Sequence, residues 1–108
     1  MFGARLRITT LRAPVGPGVE LLEYLAPRDG RAAPADARPN DLAHWQTSLV
    51  AEAAEAVFRA AREGACGTLS SEVVAPAEPA LGFARGALLR DPDGHGLRVV
   101  QPTIPPRL

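Results

Sequence analysis

Two alternating runs, Gly82 to Leu89 and Leu97 to Gln101, flank the segment Arg90-Asp91-Pro92-Asp93-Gly94-His95-Gly96. This segment constrains the fold more than any other part of the chain. Pro92 presets φ for the first corner of a turn, and Asp93-Gly94 supplies residues that tolerate positive φ. The spacing predicts a tight antiparallel hairpin.

The same period-two reading applies at the N-terminus. Ala4 to Arg12 places Leu6 and Ile8 on one face and Arg5, Arg7 and Thr9 on the other. Pro14-Val15-Gly16-Pro17-Gly18 breaks the run, and Val19 to Leu25 resumes it, so residues 4–25 are predicted to form a hairpin. Residues 26–40 are rich in Pro, Ala, Arg, Asp and Gly without periodicity, as expected of a linker or exposed loop. A third strand is predicted from Ala43 to Val50 and a helix from Ala51 to Glu63. Ala54, Val57, Phe58 and Ala61 form the helix's apolar stripe, with Gly64 as its stop. Thr68 to Val74 reads as a fourth strand, and the final hairpin follows. The proline-rich tail from Pro102 is not expected to continue a central strand. The order from residue 41 to 101 is strand, helix, strand, strand, strand, an α+β arrangement within a single domain of 108 residues.

Charge narrows the partners. Twelve basic residues, all of them arginine, balance twelve acidic ones, and no basic patch forms. Nucleic acid and anionic membrane surfaces are therefore not expected partners. The arginine, alanine, glycine and proline bias is of the kind a GC-rich bacterial genome produces. The single Cys66 has no partner for an internal disulfide, and no neighbouring base in the sequence marks it as a reactive thiol. No apolar run reaches the ~18 residues of a membrane span, and no secretory leader is evident, so a cytoplasmic location is expected.

The Asp-Pro-Asp-Gly turn, taken with Asp41-Leu42-Ala43-His44 and the βαβββ order, resembles the vicinal-oxygen-chelate (VOC) superfamily. Glyoxalases, extradiol dioxygenases and bleomycin-resistance proteins belong to it. The resemblance implies a curved mixed sheet around a small-molecule pocket. Residues 41–101 look like one complete unit, and residues 4–25 look like the last two strands of a preceding unit whose first strand and helix are missing. About one and a half units leave strand edges and apolar faces open, so a homodimer is expected.

The family chelates a divalent metal with His or Glu from the first and last strands of paired units. His44 matches a first-strand ligand and Glu20 a last-strand ligand. The position four residues after Gly94 should supply another, but it is Arg98. Arginine has five donors and no lone pair, so it cannot ligate a metal. Two of four ligands remain where about three plus an open position are needed, so no cofactor is expected; any divalent metal would fall to His44 and Glu20. Arg98 is instead expected to pair with Glu20 on a pocket floor.

Plainer roles stand beside these. His44 also fits a half-buried strand histidine, His95 an exposed turn residue, and Trp45 and Phe83 ordinary core or pocket wall. No phosphate loop, hydrolase elbow or zinc knuckle accompanies them. The leading expectation is a metal-free, sequestering binding module. Its apolar wall would be Trp45, Phe83, Leu89 and Leu97, with Glu20, Gln46, Arg98 and His44 as polar contacts. The alternative is a metal-dependent lyase, isomerase or dioxygenase of the glyoxalase branch, its site completed by a second chain or a longer N-terminus.

Overall fold

In the computed structural model, which describes residues 3–103, the N-terminal runs become β1 (Arg5–Leu11) and β2 (Val19–Ala26). They pair antiparallel, with Leu6 opposite Tyr24, Ile8 opposite Leu22 and Leu11 opposite Val19. Arg7 Nη1 donates to Glu23 Oε2 at 2.9 Å across the pair. This two-stranded sheet belongs to one compact unit, residues 3–31.

Residues 32–103 form the second unit. It contains β3 (Gln46–Val50), α1 (Ala54–Glu63), the two-residue β4 (Gly67–Thr68), β5 (Phe83–Arg90) and β6 (Gly96–Pro102). The sheet order is β3-β6-β5-β4, with β3 parallel to β6 and the other pairs antiparallel. The architecture is therefore α+β with a mixed sheet. A parallel neighbour for β3 needs a crossover connection, and α1 lies in it. No helix among the described residues is long and apolar enough to cross a membrane.

Ala54 and Phe58 of α1 meet Ala87 and Leu89 of β5 and Val99 of β6, the buried core of this unit. Full burial of a side chain such as Phe58 or Leu89 contributes about 1.5–3 kcal/mol. Ala61 packs at its margin, whereas Val57 of the expected stripe is 36% exposed.

β3 begins at Gln46 rather than Ala43, and three further boundaries depart from the sequence reading, each for a local reason. Ala51 N–H still donates to Val100 O at 2.9 Å, so that residue continues the sheet and the helix begins at Ala54. No side chain of the Ala53 cap serves the helix; Gln101 Oε1 on β6 accepts from Ala54 N–H at 3.1 Å instead. The expected strand Thr68 to Val74 shrinks to Gly67–Thr68. Leu69 and Ser70 N–H both donate to Leu88 O, Ser70 Oγ accepts from Leu88 N–H at 2.8 Å, and only Val74 returns to bridge Gly86. Finally, β6 runs one residue further than expected. Pro102 ends it opposite Phe83, where a missing N–H disturbs little of the ladder. The remainder of the proline tail, 104–108, lies outside the described residues.

The turn between β5 and β6 is organised by Asp91. Its Oδ1 accepts from Asp93 and His95 N–H, both at 2.9 Å, and its carbonyl accepts from Gly94 N–H at 3.0 Å. Gly94, at φ 91°, takes the left-handed position, while Asp93 stays at negative φ.

Candidate functional site

Strand parity divides the side chains of the second sheet. Ala87, Leu89 and Val99 face α1, as do Arg85, which pairs with Glu55, and Gln101, which caps the helix. Gly86, Leu88 and Arg98 therefore face away from the helix. Phe83 would fall on the helix side in an unbroken strand, being three residues from Gly86. A register shift between Phe83 and Arg85 inserts one residue and returns it to the outer face. There the ring lies over Gly86: a Cβ at that position would stand 2.9 Å from Phe83 Cε2.

The outer face holds an open depression of about 320 Å³, whose lining includes Gln46, Ser70, Phe83, Gly86, Leu88 and Arg98. β3 and β6 run in parallel register with Ser48 beside Arg98, and Arg98 Nε donates to Ser48 Oγ at 3.1 Å. No carboxylate among the described residues forms an ion pair with Arg98. The chemistry available here is that of recognition: an apolar floor, a hydroxyl, an amide and one fixed cation.

Three expected site residues, Gln46, Phe83 and Arg98, thus share one surface. Leu89 and Leu97 do not: Leu89 is buried in the core under α1, and Leu97 packs against that core. Adjacent strand residues point to opposite sides, so Leu97 and Arg98 cannot line one wall. His44 and Trp45 precede β3 rather than lying on it. His44 N–H donates to Asp41 O at 3.0 Å and Asp41 Oδ2 accepts from Arg38 N–H at 2.7 Å, which keeps 38–44 in turns. His44 is half-buried, with Cε1 within 3.2 Å of where a Gly96 Cβ would be. Trp45 is 55% exposed and packs against His95, ring centroids 4.4 Å apart and ring planes tilted by 44°. His95 Nδ1 in turn lies 3.2 Å from Asp91 Oδ2, so this histidine is tied into the turn. Glu20 belongs to the hairpin unit, opposite Thr10 on β1. Among the described residues no group of three or more His, Cys, Asp or Glu side chains could hold a metal ion.

In the sequence Ser48 and Ser70 lack a hydrolase elbow and partner His/Asp arrangement, and no site role is expected of them. Their hydroxyls matter through partners 50 and 18 residues away, and only the parallel register of β3 could have pointed to Ser48. A larger cleft of about 600 Å³ lies beside α1 and includes Glu55, Arg59, Arg62, Glu63, Glu72 and Arg85 in its lining. Its charges are balanced in sign and Glu55 already pairs with Arg85, which leaves it less defined as a ligand site than the outer depression.

Comparison with protein-family models, curated proteins and solved structures gave no match.

Proposed function

We propose that this protein is a metal-free small-molecule-binding module of the VOC kind, which sequesters its ligand without chemistry and works as a cytoplasmic homodimer. The carrying observation is the outer-face depression, with an apolar floor around Phe83, Gly86 and Leu88 and a single cation, Arg98. Ligand sites are commonly of this composition: mostly apolar, with a few polar groups that fix orientation. The order strand, helix, strand, strand, strand, with β3 parallel beside β6, supports the family reading. Pairing of two copies is supported by the hairpin. A two-stranded sheet is marginal by itself, and Leu6, Ile8, Leu22 and Tyr24 share one face at 41–56% exposure. Such a patch suits a second copy of itself about a two-fold axis.

Native mass spectrometry with and without added nickel, zinc, iron or manganese tests both parts. The expected spectrum is a dimer whose mass is unchanged by metal. One metal gained per site, and lost on His44→Ala, would replace this reading with the metal-dependent glyoxalase-branch enzyme. A monomer would remove the homodimer.

A further inference from the structure

We infer that the ligand of the outer-face depression is a small apolar monocarboxylate, gripped end-on by Arg98. This rests on the binding reading above and names the ligand class.

Charge is the first argument. Every lining residue other than Arg98 is neutral: Gln46 and Ser70 are polar and the rest apolar. Arg98 shares with most of the described arginines the lack of an ion-pair partner, and it is the one that lies in this lining. Geometry is the second. Of the five guanidinium donors, Nε is engaged by Ser48 Oγ, which leaves the four hydrogens of the two terminal nitrogens. Two of these are parallel and match the two oxygens of a carboxylate. The Ser48 bond also restricts the side chain before any ligand arrives, so less rotamer freedom is lost on binding.

The floor supplies the rest of the description. Phe83 lies across Gly86, and Leu88 and Val74 extend the apolar surface beside it. At about 320 Å³ the depression is at the small end of ligand sites, suited to one ring or a short branched chain. One fixed cation balances one negative charge.

The test is an amide NMR titration of the whole protein with phenylacetate, phenylacetamide and phenyl phosphate, repeated on Arg98→Gln and Arg98→Lys. Position 98 is exposed, so both substitutions preserve the core. Phenylacetate is expected to shift the amides of Phe83, Gly86, Leu88 and Arg98 and to bind about tenfold or more tightly than phenylacetamide. Arg98→Gln should abolish that preference and Arg98→Lys retain part of it. Equal binding of acid and amide, indifferent to Arg98→Gln, overturns the carboxylate inference while leaving a binding site. Tighter binding of phenyl phosphate overturns it in favour of a dianion. If no probe shifts those amides at millimolar concentration, the binding reading itself falls.

Discussion

The chain contains two antiparallel hairpins built from alternating residues, and they end in opposite states. On the β5–β6 hairpin Leu89 and Val99 are 3% and 0% exposed; on the β1–β2 hairpin Ile8 and Leu22 are 56% and 51% exposed. Both have one strand-register irregularity and both pair along most of their length. The difference is the second layer. α1 lies on one face of β5 and β6 and removes it from water, whereas no helix occurs among the described residues of the unit that contains β1 and β2. Alternation therefore decides which side chains share a face, and a covering layer decides whether that face is worth anything to stability.

The sharpest way to break this comparison is to truncate one apolar side chain in each region. Phe58→Ala empties the contact between α1 and the sheet and is expected to cost about 3–5 kcal/mol. Leu22→Ala removes a side chain that is half in water in a single copy, so at concentrations too low for the proposed homodimer it should cost about 1 kcal/mol or less. Urea unfolding of the two variants, compared at unchanged m-value, reads the difference directly. Equal losses would mean that the hairpin's apolar face is covered in solution, as the homodimer requires.

A smaller effect sharpens the role of the second layer. Gln101 on β6 accepts from Ala54 N–H, so the strand provides the cap that Ala53 has no side chain to give. Gln101→Ala is expected to cost about 1 kcal/mol, in the range of a lost helix cap. Far-ultraviolet circular dichroism at rising urea would show the helix lost earlier than in the parent protein. An unchanged midpoint would show that water replaces the amide without penalty.

What could be read from sequence follows from the range of the forces involved. β1, β2, β5 and β6 were legible to within one or two residues, because period two and the turn residues act over neighbours. Asp91 to Gly94 announced its turn for the same reason, although only Gly94 uses positive φ. Counting from that glycine also led to Arg98, and Phe83 and Gln46 share its surface. The bulge that returns Phe83 to the outer face was not legible, since nothing in Phe83-Ala84-Arg85 marks an extra residue. Nor was the early end of β4, which depends on Ser70 reaching Leu88 N–H. Leu89 and Leu97, expected on the pocket wall, lie on the core side, and strand parity already sets Leu97 opposite to Arg98. That side is legible from the alternation alone.

The smallest expected effect concerns the ion pair of the exposed hairpin. Arg7 and Glu23 are directly opposite on β1 and β2, 2.9 Å apart, with side chains 65% and 53% exposed. Water and salt screen such a pair, and holding two long side chains in register offsets part of the attraction. A double-mutant cycle over Arg7→Ala and Glu23→Ala should therefore give a coupling of about 0.2–1 kcal/mol that shrinks as salt is added. The face that carries this pair also carries Leu11, Val19 and Leu21, opposite to the face of Ile8 and Leu22. If a second copy covered the Ile8 face alone, the coupling would stay in that range. A coupling several-fold larger and insensitive to salt would place the Arg7 face, rather than the Ile8 face, against a partner, because only removal from water strengthens an ion pair to that degree.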